Sequence, residues 1–223
     1  EWITYDNNRY YFDGDGVMYT GMKEVDGTRY YFHSWGGVYH NESFTWQGKK
    51  YWAKDDGTFY TGVCDINGKK YYFLEDGEQI TKEGWYLTNG TYYWINANGT
   101  RRDDELFQYD GNYYYVDKNG VMATSGWVYW DYNYYYPRSW GGMYKNAFIT
   151  YDNNLYYLGS DSKMAIGWQS IGGNTYYFRS WGGMITGKQV IDGKTYVFDE
   201  DGKLVQSPDG FEPSAQIGVR TVR

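Results

Sequence analysis

Asp110-Gly-Asn-Tyr-Tyr-Tyr-Val-Asp-Lys-Asn-Gly-Val-Met122 is the stretch on which the fold turns. Its Asp-Gly pair accepts positive φ at both central positions of a type I′ turn, the geometry that matches the twist of a two-residue β-hairpin. The aromatic run behind it favours a pleated strand, and the second Gly, Gly120, closes the unit with another turn. One such unit is therefore a β-hairpin plus a connecting turn. Outward from it, aromatic doublets or their near equivalents begin at Tyr10, Tyr30, Tyr51, Tyr71, Tyr93, Tyr114, Tyr135, Tyr156, Tyr176 and Tyr196, at intervals of 20 to 22 residues. Turn pairs recur ahead of the doublets at Asp26-Gly27, Asn67-Gly68, Asn89-Gly90 and Asp192-Gly193, and closing glycines behind them at Gly16, Gly57, Gly77, Gly99 and Gly202.

A lone hairpin is marginal in water, and a unit of this length buries its aromatic face only against neighbours. The expected fold is all-β, an elongated β-hairpin solenoid of about ten repeats over residues 1–205, with 206–223 as a tail or the start of a following segment. Doublet aromatics are expected in the seams between units, where ligand sites would recur. Composition agrees: 30 Tyr, 11 Trp and 30 Gly stand in 223 residues with three Pro, and no stretch carries a sustained helical apolar period.

A formal net charge of -7 excludes a phosphate-tracking surface, so nucleic acid is not an expected partner. No apolar run approaches the roughly 20 residues that insert into a bilayer. Cys64 alone makes no intrachain disulfide and reads as a small buried strand residue. His33 and His40 read as surface groups, since nothing at zinc-site spacing recurs near them. Asp13-Gly-Asp-Gly16 and Asp199-Glu-Asp-Gly202 read as solvated turns, as neither reaches a distal Glu at calcium-loop spacing. The other carboxylates also fall at turns, where backbone geometry selects them. No catalytic residue, metal or cofactor is expected.

Two positions vary between units. Eight residues before the doublet stand Trp2, Trp85, Trp127 and Trp168, and immediately before it Tyr92, Tyr113 and Tyr134, against Arg9, Arg29, Lys50, Lys70, Leu155, Thr175 and Thr195 elsewhere. Ser-Trp-Gly-Gly also occurs at Ser34, Ser139 and Ser180 in place of the polar inter-repeat turn. It is expected to lengthen that turn by one residue and to present Trp35, Trp140 and Trp181 near a seam, as a stacking face for a sugar or as a cover over the hairpin.

The segments Gly126-Trp127, Asp110 to Met122 and Ile191-Asp-Gly-Lys-Thr-Tyr-Val-Phe198 resemble the cell-wall-binding repeats of Gram-positive bacteria, a superfamily with choline-binding, glucan-binding and clostridial-toxin branches. The resemblance implies a secreted or surface-attached module that binds a cell-wall polymer or glycan, choline-substituted teichoic acid or α-glucan. In the choline branch it implies cages of Trp85, Tyr92 and Tyr115, and of Trp127, Tyr134 and Tyr157, with Trp168 lacking its partner at Thr175. Asn67-Gly-Lys-Lys-Tyr-Tyr-Phe73 is closer to the glucan branch. A structural spacer or dimerisation stalk is the alternative from another class, and the regularly placed Trp residues favour binding over it.

Overall fold

The structure, a computed structural model, describes residues 1–88 and 90–211. Asn89 of the expected Asn89-Gly90 turn, and most of the expected tail, lie outside the described residues. Within them the chain is all-β, without helix: ten consecutive antiparallel hairpins, from Trp2–Tyr5 with Asn8–Tyr11 to Gly187–Ile191 with Lys194–Phe198, the last joined by Leu204–Gln206. The turns have the anticipated form. Val25 pairs with Thr28 across Asp26 (φ 50°) and Gly27 (φ 76°), and Ile66 with Lys69 across Asn67 (54°) and Gly68 (73°).

Strand alternation sends the first doublet residue and the residue two beyond it to one face. Tyr51, Tyr135, Tyr156, Tyr176 and Tyr196 are accordingly buried, as are Phe32, Phe73, Ile95, Leu158, Phe178 and Phe198. The core is a series of small aromatic clusters, such as Phe44, Tyr51, Ala53 and Phe59, or Ile149, Tyr156 and Leu158.

The chain divides into two compact units, one of Glu1–Glu105 with Val116–Met122, the other of Leu106–Tyr115 with the described residues from Ala123 on. Inside each, the loop that follows a hairpin is tied to the hairpin before it. In the first unit Val38 N–H donates to Arg9 O (2.8 Å) and Gln79 N–H to Lys50 O (2.7 Å). In the second, Met143 donates to Tyr113 O (2.9 Å), Met164 to Tyr134 O (2.8 Å) and Met184 to Leu155 O (2.8 Å). Carbonyls that a free hairpin would leave to water are satisfied by the next repeat, which is how stacking stabilises units too small to fold alone.

Cys64 lies on the strand Gly62–Ile66 but is only half-buried, its Sγ donating to Thr61 O at 3.1 Å, and burial pushes its thiol pKa up. His33 is not a free surface group. Its ring stacks on Tyr39 (3.6 Å between centroids) and Trp35 (4.7 Å), and Nε2 lies 3.2 Å from Glu42 Oε1.

Candidate functional site

The tryptophans eight residues before a doublet take one recurring position. Trp127, just ahead of the strand Val128–Trp130, meets Tyr136 of its own hairpin at 5.1 Å and 80° and Tyr156 of the next at 5.0 Å and 63°. Trp168 meets Tyr177 (5.0 Å) and Tyr196 (4.9 Å), and Trp2 meets Tyr11 (5.2 Å) and Tyr30 (4.9 Å), all edge to face. Each indole is thus wedged between the second ring of its own doublet and the first ring of the following one. This corrects one expected wall. Tyr157 packs on Phe148 (4.8 Å) and towards Phe178, because adjacent strand residues point to opposite faces, and Tyr156 is the ring that reaches Trp127. Of the other expected group, Trp85 packs on Trp94 (5.2 Å) within the first unit, where Tyr92 is exposed, while Tyr115 belongs to the second and packs on Trp130 (5.8 Å).

The Ser-Trp-Gly-Gly turns are not longer than the others. The bridges that flank them, Phe32 to Val38, Pro137 to Met143 and Phe178 to Met184, span the same number of residues as Phe12 to Met18, Ala53 to Phe59 and Leu158 to Met164. The first glycine of each pair (Gly36, Gly141 and Gly182, φ 92 to 95°) takes the left-handed place of the single Gly in ordinary turns, and Trp takes the place of an Asp or Asn. Each indole then sits beside a first-doublet tyrosine in nearly the same pose: Trp35 on Tyr10 (5.9 Å, 67°), Trp140 on Tyr114 (6.1 Å, 65°) and Trp181 on Tyr156 (6.0 Å, 66°). The second glycine is needed because the indole folds across it, so that a Cβ at Gly37, Gly142 or Gly183 would overlap the ring. About half of each indole remains exposed.

Trp127 and Trp181, read from the sequence as belonging to different kinds of site, come together in the second unit. A cavity there is lined by Trp127, Tyr134, Tyr156, Met164, Ser180 and Trp181. Its walls are steeply inclined to one another: Tyr134 stands at 88° to Trp127 (6.3 Å), Tyr156 at 63°, and Trp181 at 66° to Tyr156. Met164 lies beneath Gly182, where a Cβ would overlap its sulfur. No carboxylate or cationic side chain is among these lining residues. Tyr156 is held neutral, its hydroxyl pKa raised by burial first and by the charge of Asp152 next. Several electron-rich faces around a small volume with an uncharged lining suit a compact organic cation, attracted to the rings' quadrupoles.

Other seams of the same plan hold something already. Phe211 lies on Trp168 (4.7 Å) and Tyr196 (5.1 Å), leaving Trp168 buried. Phe211 falls outside the repeat period, and nothing in the sequence pattern pointed to it. Above Trp2, the Arg9 guanidinium stands 4.1 Å from the ring centroid.

A choline-binding repeat family model matches residues 165–207, and a cell wall binding repeat model matches residues 1–18, 65–78, 104–122 and 146–161. Among solved structures, the choline-binding domain of CbpL from Streptococcus pneumoniae is 28% identical with a TM-score of 0.64, covering 82% of this chain and 96% of that one. The modular autolysin LytC of the same organism, in complex with a synthetic peptidoglycan ligand, is 24% identical with a TM-score of 0.64 over 93% of this chain and 48% of that one. Choline-binding protein F, also from Streptococcus pneumoniae, is 22% identical with a TM-score of 0.55, covering 95% of each chain. These last two likenesses are of fold, and the chain spans about half the length of LytC. No curated protein matches the chain.

Proposed function

The chain belongs to the cell-wall-binding repeat superfamily, and on that footing we propose that it is a non-catalytic module that attaches a surface or secreted protein to a cell-wall polymer by capturing a quaternary ammonium group of the choline type. The observation that carries this reading is the cavity of Trp127, Tyr134, Tyr156 and Trp181. Its walls are steeply inclined in pairs, at 88° for Trp127 with Tyr134 and 66° for Tyr156 with Trp181. A flat pyranose ring stacks best on one open ring face, whereas a near-spherical trimethylammonium gains from several faces at once, each contact contributing about 0.5–2 kcal/mol according to desolvation. Binding at one such site is weak. Attachment to a repetitive polymer gains strength where several sites engage one chain.

Calorimetric titration with choline and with a soluble α-glucan tests this. Choline is expected to bind the unmutated chain, and either Trp127→Ala or Trp181→Ala to weaken that site by about tenfold or more, which corresponds to about 1.4 kcal/mol. Heat with the glucan alone would replace the cation by a sugar. No heat with either would favour the spacer role.

A further inference from the structure

The Trp2 seam matches the Trp127 seam position by position. Trp2 corresponds to Trp127, and Tyr30, first doublet ring of the next hairpin, corresponds to Tyr156, each within 5.0 Å of its indole. The residue before the doublet is Arg9 in one and Tyr134 in the other. The third residue of the loop two hairpins on is Asp56 in one and Trp181 in the other, each lying three beyond a bridge residue, Ala53 or Phe178. Among the aromatic walls these two differ together, with Val38, Asp55 and Thr58 standing where the second unit has Met164, Ser180 and Gly183, and the contacts of Arg9 say what the difference in walls does. Arg9 lays its guanidinium over the Trp2 ring at 4.1 Å, and its Nη1 donates to Asp56 O at 2.9 Å. Where the second unit has an open aromatic box, the first has a delocalised cation supplied by the chain itself.

We propose that the Trp2 seam is a latent organic-cation site whose occupant is Arg9, and that the residue pair at these two positions decides whether a repeat captures an external ammonium or ties itself to the repeat two further on. The proposal rests on reading the Trp127 cavity as an ammonium site. The next hairpin carries the tie without the indole: Arg29, with Met22 in the Trp position, donates to Asp76 O through the same spacing. The basic residue is thus a strut in itself, and over Trp2 it also fills the site. Arginine suits both tasks, because its planar guanidinium stacks on a ring face while its edge N–H groups donate outward.

The test is to rebuild the seam. Arg9→Tyr with Asp56→Trp supplies the two missing walls, and Thr58→Gly clears the place that Gly183 holds open under Trp181. With folding checked by circular dichroism, titration with choline or tetramethylammonium is expected to show one more site per chain than the unmutated protein. A folded triple variant with unchanged stoichiometry overturns the proposal. Should that variant not fold, Arg9→Ala alone decides: tetramethylammonium is expected to perturb tryptophan fluorescence beyond the change seen in the unmutated chain, and no added change overturns the proposal. The readout is a difference between variant and parent. A parent that binds no ammonium contradicts the proposed function, while a parent that binds with no gain in the variants contradicts only the latent site.

Discussion

Tyr156 serves two packing partners at once, since Trp127 and Trp181 lean on the same ring from two different repeats. Its phenol is raised above the ordinary value by burial, then by Asp152 and Tyr151. The wall therefore carries no charge near neutrality, and choline affinity is expected to stay flat between about pH 6 and 9, as titration across that range will show. Tyr51, Tyr114, Tyr177 and Tyr196 are shifted the same way, burial again the largest cause. A phenol whose pKa is higher folded than unfolded favours the folded state below the unfolded value, about 10, and that contribution is lost as pH rises through the folded value. The urea midpoint should thus hold to about pH 9 and fall above pH 10, less steeply in Tyr156→Phe. Gly183 makes the opposite kind of demand, for absence of a side chain. Gly183→Ala should push the Trp181 indole off its seat, lowering choline affinity about tenfold and stability by about 1–3 kcal/mol, the range for overpacking.

At the level of the hairpin, what was legible in the sequence was local. Turn pairs such as Asp26-Gly27 act through their own φ angles, and doublets act through strand alternation, so period, strand direction and buried face could all be read from neighbours in the chain. The site was only half legible, because its walls come from three hairpins. Trp127 and Tyr134 stood out by spacing, but choosing Tyr156 over Tyr157 required the register between hairpins, and bringing Trp181 to them required knowing that a loop reaches back past its nearest neighbour. The Ser-Trp-Gly-Gly turn reads in the sequence as an insertion because two glycines look like added length, whereas only the first fills the left-handed place and the second makes room for the indole. The tip of the seventh hairpin breaks the turn rule openly. Asp131 and Tyr132 occupy the two positive-φ places, and Tyr132, at φ 59°, is 88% exposed. A left-handed conformation costs an ordinary L-residue about 1–2 kcal/mol, part of which a glycine returns to unfolded-chain entropy. Tyr132→Gly should therefore raise stability by about 0.5–1 kcal/mol in chemical denaturation, with no change in choline binding.

On the scale of the whole molecule, stability within each compact unit is a sum of seams, each closed by the hairpin that follows. The last doublet has no following hairpin among the described residues, and Phe211 covers it together with Trp168. Phe211→Ala should cost about 1–3 kcal/mol, less than a fully enclosed phenylalanine, and shift tryptophan emission to the red as Trp168 meets water. The ties that span two repeats carry a different consequence, for how such a chain changes its length. Arg9 reaches Asp56, and Arg29 reaches Asp76, across equal stretches of sequence, and each finds a backbone carbonyl in an equivalent loop. If a recombination event excised the second repeat whole, Arg9 would meet the carbonyl of Asp76 in place of that of Asp56, a like-for-like exchange of acceptors. An excision out of phase with the repeat would put a strand where a loop must be. A whole repeat is therefore the length of chain that can be removed while each of these ties still meets an acceptor of the same kind.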